Sequence, residues 1–286
     1  MYKFDLILVV AGKDFQYMDV KLKNIREFIN PDIVYIISPR IDIEKNKYRI
    51  LKNNNKVFMI DENDILDINN INFNNVQIPG MPQRRFWYYQ QFLKMAFSYS
   101  KYSTKDYYLI WDADTIPLNP IIFFENKKIH LTINKEEYNE QYHNNIARLF
   151  GDIKMHHKSF ISQHLFVKKS HMIELVEKLN KDWPTHIMKT LIGTRPSVFS
   201  EYETYANYVL NFHKQDYTIR ELSWFRKGKY IVSDINKISI LSDYYDFIAI
   251  EKSDNVLLKG IYFKVIHQIN KLKKVVKRLK RGGLNA

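Results

Sequence analysis

Short apolar runs alternate with stretches of helical period over the first 120 residues. Phe4 to Val10 is an apolar run interrupted only by Asp5, and Ala11-Gly12-Lys13-Asp14 follows it, so a buried strand ending in a turn is predicted. Tyr17, Val20, Leu22, Ile25 and Phe28 then recur at helical spacing over residues 16–29, until Asn30-Pro31-Asp32 breaks the pattern. Ile33-Val34-Tyr35-Ile36-Ile37 is a second apolar run, stopped by Ser38-Pro39. Strand, helix and strand so close together make a βαβ unit, with parallel pairing and a right-handed crossover. Val57-Phe58-Met59-Ile60 reads as a third strand, and the Asn-rich residues 63–82 read as loop. Gln83 to Ser100 is the clearest helix of this half. Phe86, Tyr89, Leu93, Ala96 and Phe97 form its apolar stripe, while Gln91, Lys94 and Ser98 share another face.

That helix leads into Tyr107-Tyr108-Leu109-Ile110-Trp111-Asp112-Ala113-Asp114-Thr115-Ile116-Pro117-Leu118, around which the chain is organised. Aromatic and branched residues run into two carboxylates one residue apart, and Pro117 stops the pairing. Asp112 and Asp114 share one face if the chain stays extended, or splay around a turn if the strand ends between them. Ligands of open α/β sheets bind at the carboxyl ends of strands. Two hard oxygen ligands there suit Mg²⁺ or Mn²⁺ shared with substrate phosphates; the same residues also fit as plain turn aspartates. The polar face with Gln91 and Lys94, the Arg84/Arg85 pair that opens the helix, and Trp111 beside Asp112 are the expected contacts to a phosphate or nucleotide.

Beyond Pro120, strands are predicted over 129–133, 159–167 and 230–232, and helices over 136–150 and 169–179, the latter ended by Asp182-Trp183-Pro184. In Ser200-Glu201-Tyr202-Glu203, the serine and Glu203 form a capping box that starts a helix. Glu203 is thereby expected to return its carboxylate to the Ser200 amide. Glu201, with no such duty and in the first turn, is the preferred candidate for a general base, with Glu203 second. Ser223-Trp224-Phe225-Arg226-Lys227-Gly228 is a basic loop suited to closing over a diphosphate through Arg226, or an ordinary turn. Among His156, His157 and His164, the last is the best candidate for a third metal ligand, since it alternates with apolar neighbours in a strand.

Composition narrows the picture. The 286 residues, 45% apolar, suffice for one large domain, and no stretch is long and apolar enough to span a membrane. There is no cysteine, which excludes disulfides and thiolate metal sites and fits a reducing compartment. The N-terminal run reads as a strand, not a signal peptide, so a cytoplasmic location is expected. Net charge is +13, but nine Lys/Arg and no acid lie between Lys259 and Arg281; subtracting those nine leaves +4 for the body. A nucleic-acid-binding body is therefore not expected. In the tail, Leu258, Ile261, Tyr262, Val265, Ile269, Leu272, Val276 and Leu279 recur at helical spacing, as in a basic amphipathic helix lying on an anionic membrane. Truncation after Asn255 should then abolish binding to anionic vesicles while sparing hydrolysis of a soluble donor; a truncated form that still pellets with the vesicles rejects this role.

The stretch Tyr108–Leu118 resembles the DxD signature of GT-A-fold glycosyltransferases. Trp87-Tyr88-Tyr89-Gln90-Gln91-Phe92-Leu93-Lys94-Met95, Ser159-Phe160-Ile161 and Phe199-Ser200-Glu201-Tyr202-Glu203-Thr204-Tyr205 are similar to a bacterial family of such enzymes from surface-polysaccharide loci (capsule or lipooligosaccharide). The resemblance covers about residues 83–230. It implies an α/β, GT-A-like fold with a mixed, mostly parallel sheet flanked by helices. It further implies a nucleotide-sugar donor, Mn²⁺ or Mg²⁺ held by Asp112 and Asp114, and a glycan or lipid-linked glycan acceptor. Residues 1–118 would form the nucleotide-binding half, 119–250 the acceptor half of one catalytic domain, and 251–286 the membrane-directed tail. Two other classes share features of the chain. Asp112-x-Asp114-x-Thr115 also matches haloacid-dehalogenase-type phosphatases, in which the first Asp is a nucleophile. The tail alone would suit a non-enzymatic protein that binds membrane or RNA.

Overall fold

Continuous apolar runs, too apolar to leave either face in water, dictate a central sheet covered on both sides. The computed structural model describes residues 2–250 apart from 53, 67–73, 75, 79–81, 135–138, 152, 181, 192–196 and 227–240. The first half contains β1 (Asp5–Val9), α1 (Met18–Phe28), β2 (Val34–Ser38), α2 (Arg40–Leu51), β3 (Val57–Asp61), α3 (Glu62–Leu66), α4 (Arg85–Ala96), β4 (Tyr107–Trp111) and β5 (Thr115–Pro117). The second contains β6 (Phe124–Glu125), β7 (Lys128–Ile133), α5 (Glu140–Phe150), β8 (His164–Lys168), α6 (Lys169–Lys178), α7 (Trp183–Thr190), α8 (Glu201–Phe212), β9 (Tyr217–Glu221), β10 (Trp224–Phe225) and β11 (Phe247–Ala249).

The central sheet has the order β3-β2-β1-β4-β8. Its first four strands run parallel, and β8 pairs antiparallel with β4, setting Trp111 opposite His164. The chain therefore builds outward from β1 through β2 to β3, then returns to place β4 on the other flank of β1. The reversal falls at the carboxyl ends of β1 and β4, the usual ligand position in an open α/β sheet. Two three-stranded sheets adjoin it, β10-β11-β5 and β6-β7-β9. The expected mixed, mostly parallel sheet flanked by helices is what the structure contains.

Several elements differ from the sequence expectation. Helix α2 was not anticipated, because only Ile50 in it is buried and no apolar stripe marks it. Pro184, read as a stop, lies in the first turn of α7, where its missing N–H costs nothing. Strand β8 starts only at His164; before it, Gln163 has φ of +65°, which no strand tolerates. Phe86, assigned to the apolar stripe of α4, is 70% exposed. The short helix α3 covers the start of the expected loop. The strand expected at 230–232 and the whole basic tail fall outside the described residues.

The far end of α8 is locked by histidines. The His171 and His213 rings stack at 3.7 Å, His171 Nδ1 lies 2.7 Å from the Tyr217 hydroxyl, and His213 Nε2 lies 2.8 Å from Glu174 Oε2. Burial, together with the charges of His213 and Lys168, pulls His171 down to about 4, against the pull of Asp216 and Glu174. A histidine that titrates lower folded than unfolded stabilises the protein above its unfolded pKa, and that stability is lost as pH falls toward 4. Urea unfolding should accordingly show a loss of up to about 3 kcal/mol between pH 7 and pH 4. The loss should shrink in His171→Gln; an equal acid slope in both proteins would reject this assignment.

Candidate active site

Strand β4 ends at Trp111, and the two aspartates lie on the turn that follows. The Asp112 amide donates to Gln163 O (2.9 Å) and the Thr115 amide donates to Asp112 O (3.0 Å). The carboxylates thus splay around a turn, the second of the two arrangements the sequence allowed. The Ile250 amide donates to Asp114 O (2.7 Å), tying the turn to the segment after β11.

Behind Asp112 lies a buried charged network. Lys94, 4% exposed on α4, donates from Nζ to Asp112 Oδ1 (2.6 Å) and to Glu201 Oε1 (2.8 Å), with the Tyr202 hydroxyl at 3.4 Å. Its ammonium also sits 4.8 Å from the centre of the Tyr202 ring. The Tyr202 hydroxyl donates to Asp112 Oδ1 at 2.5 Å, so two donors converge on one carboxylate oxygen. Burial alone would weaken the Lys94 proton, but the charges and hydrogen bonds of Asp112 and Glu201 outweigh it and push the lysine up. Burial pushes Glu201 up as well, against the pull of Lys94 and with the push of Asp112.

Helix α8 reaches this position through its cap. Ser200 Oγ accepts the Glu203 amide, and Gln91 Oε1 accepts the Glu201 amide (3.0 Å) while Gln91 Nε2 donates to Trp87 O (3.2 Å). The polar face of α4 is therefore buried against the N-terminus of α8 and is not solvated. Gln91 is a brace between helices, its amide engaged by protein groups at both ends.

The expected site residues separate as follows. Asp112, Asp114, Lys94, Gln91 and Glu201 come together at the end of β4. Glu201 is not a partner-free carboxylate: it is 4% exposed and ion-paired to Lys94, because the start of α8 packs onto α4 instead of facing solvent. Glu203 takes the Phe160 amide on its Oε1 (2.9 Å), holding the segment before β8. Trp111, expected to touch a ligand, is fully buried, its indole N–H on Thr115 O (2.9 Å) and its ring stacked on His164. Strand alternation turns it away from Asp112. His164 shares that inward face, with Nε2 3.0 Å from Thr132 Oγ1, and burial plus the Arg220 charge lower it to about 3. It is a core histidine. Arg84 lies over the Trp87 ring at 5.3 Å, and half-buried Arg226 follows β10, on the small sheet that also holds β5. Lys227 and Gly228 of the basic loop fall outside the described residues.

Two residues escaped the sequence reading. Tyr202 lay within the stretch of interest, but nothing in sequence shows its hydroxyl reaching Asp112. Lys21 on α1 is buried, and Asp114, Asp14 and Asp112 are the acids acting on it. Its phase with Met18, Leu22 and Ile25 was the available signal.

Among the described residues no three His, Asp or Glu are grouped to hold a metal ion. Mg²⁺ and its analogues, however, commonly take one or two protein carboxylates and complete their shell with phosphates and water. Asp112 and Asp114 fit that second arrangement and not a protein-only cage. A groove of about 540 Å³ on the outer side of α1 and α2 is lined by Asp19, Lys23, Arg26, Glu27, Arg49 and Asn54. Across it Arg49 forms an ion pair with Asp19, and Arg26 donates to the Asn54 side-chain oxygen.

A family model described as "Family of unknown function (DUF6492)" matches residues 1–240. The chain belongs to DUF6492. The match takes in the aspartate turn, Lys94, Lys21 and the start of α8, so the whole network lies within the family domain. No curated protein matches the chain. Among solved structures, the apo crystal structure of mouse xyloside xylosyltransferase 1 is similar over 90% of this chain and 100% of its own, with a TM-score of 0.51 and 9% sequence identity. At that identity the likeness shows the fold: this DUF6492 chain has a sheet and helices like those of a GT-A glycosyltransferase.

Proposed function

We propose that the chain is a metal-dependent glycosyltransferase that moves a sugar from a nucleotide donor to a surface-glycan acceptor. The observation that carries this reading is the placement of Asp112 and Asp114 at the end of β4, where the strand order reverses in a GT-A-like fold. Asp112 and Asp114 would hold Mn²⁺ or Mg²⁺, which when bound supplies Lewis-acid stabilisation of a departing diphosphate. The remaining residues prepare that site. Lys94 and Tyr202 fix Asp112 through Oδ1, leaving Oδ2 as its second oxygen. Glu201 holds Lys94 and so acts as a positioning residue; as a base it would first have to release the lysine. Arg84 and Arg226 remain the candidates for further donor contacts. The acceptor is taken to be lipid-linked at an anionic membrane that the basic tail engages.

The phosphatase reading fits the geometry less well. It needs Asp112 as a nucleophile on the opening strand of its domain, whereas β4 follows three strands and Asp112 Oδ1 already accepts two hydrogen bonds. Calorimetric titration with UDP-, GDP- and CMP-sugars, with and without Mn²⁺, separates the two. Metal-dependent binding of one donor is expected; hydrolysis of p-nitrophenyl phosphate without donor binding would reject the transferase.

A further inference from the structure

Helix α1 follows the carboxyl end of β1, the parallel neighbour of β4, and its buried positions are Met18, Lys21, Leu22 and Ile25. A lysine thus occupies a place that helical spacing reserves for an apolar residue. It is 1% exposed. Long cationic side chains at such positions usually reach water with the ammonium or end on a carboxylate, because an unpaired buried charge is costly. Lys21 makes no hydrogen bond or ion pair with the described residues.

Its surroundings are those of the candidate site. Asn24, one turn of α1 further on, donates from Nδ2 to Pro117 O (2.8 Å), which holds this face of the helix against β5, the strand leaving the aspartate turn. Burial lowers Lys21 to about 8, and the acids opposing that shift are Asp114, Asp14 and Asp112, two of them the candidate cation ligands. Lys94 offers a contrast within the same site: it is equally buried, yet Asp112, Glu201 and Tyr202 all receive it. One lysine is committed to the protein and the other is held in reserve.

We propose that Lys21 is the anion-binding residue of this site, its ammonium donating to oxygens of the donor diphosphate held over Asp112 and Asp114. The proposal rests on the nucleotide-donor reading above and adds to it a contact that no carboxylate supplies. A cation held by Asp112 and Asp114 would take up their charge, and the diphosphate would then meet positive charge both from that cation and from Lys21.

The test is titration calorimetry of the full chain in Mg²⁺ with UDP, GDP, CDP and ADP, with the matching nucleosides, and with inorganic pyrophosphate as a base-independent probe. Lys21→Met should weaken binding of the preferred diphosphate and of pyrophosphate at least about tenfold, the loss of one charge-assisted hydrogen bond. It should leave any nucleoside binding within about threefold and should not lower Tm, since it removes an unpaired buried charge. Lys23→Met, the same charge loss at an exposed position of the same helix, should leave diphosphate affinity unchanged. In the wild-type chain, the Lys21 ¹³Cε resonance should move with diphosphate and stay with nucleoside, a readout that needs no variant to fold. If the wild type binds diphosphate and Lys21→Met binds it equally well, or if the resonance stays still, the Lys21 proposal is overturned while the donor reading stands. If the wild type binds no diphosphate in Mg²⁺ or Mn²⁺, both fall.

Discussion

Lys94→Met is expected to cost about 3–5 kcal/mol of stability, the usual penalty for removing one partner of a buried ion pair. For a chain of this size that is a fall in Tm of roughly 6–20 °C. The physical reason is that Lys94 Nζ neutralises two carboxylates at once, Asp112 at 2.6 Å and Glu201 at 2.8 Å. Without it, Glu201 is left buried and unpaired, and its quickest relief is to bind a proton. A carboxyl raised above its unfolded value favours the fold at low pH and withdraws that support as pH climbs through its folded pKa. The deficit of Lys94→Met should therefore be larger at pH 8 than at pH 5. Removing the second partner as well, in Lys94→Met/Glu201→Leu, should recover part of the loss, because an apolar pair carries no desolvation penalty. Urea unfolding at the two pH values decides it. A single variant within 1 kcal/mol of the parent would show that the network is peripheral to the fold.

The strands were legible because they are apolar runs; the side chains of β1, β2 and β4 nearly all disappear from solvent, while edge strand β3 buries only Val57 and Ile60 and leaves Phe58 half exposed. Helix α2 left no comparable trace, since it lies on the outside with one buried residue, and α7 was masked by a proline that starts a helix as readily as it ends one. At the site, residue types were readable but their distances were not. Lys94 and Glu201 are 107 positions apart in sequence, and no local rule connects them. For that reason Glu201 looked free and His164 looked available. The partner that occupies each, Lys94 in one case and Thr132 in the other, is supplied by the tertiary fold. Lys21 shows the opposite failure: its helical phase was visible, but a lysine in an apolar stripe is easily passed over as a surface charge.

Asp112→Asn/Asp114→Asn is expected to abolish metal-dependent nucleotide binding and to lower sugar transfer on the order of 10³-fold, the scale of several kcal/mol of charge stabilisation at a leaving diphosphate. The two positions should divide the effect unevenly. Asp112→Asn keeps a side-chain oxygen that accepts from Lys94 and Tyr202, so the fold should lose only about 1–2 kcal/mol, the difference between a charged and a neutral acceptor. Asp114 is half-buried on the turn, where the Thr115 hydroxyl donates to its Oδ1 (3.4 Å); Asn keeps an oxygen there, so Asp114→Asn should cost no more stability than Asp112→Asn while still removing a cation ligand. Calorimetry with and without Mn²⁺ then reads binding, and urea unfolding reads the fold, in the same set of proteins. The two measurements should move in opposite order: Lys94→Met mainly in stability, Asp114→Asn mainly in metal–nucleotide affinity. A double variant that binds metal and nucleotide as tightly as the parent would leave the aspartate turn with a structural role only, since a cation held elsewhere would not notice the loss of both carboxylates.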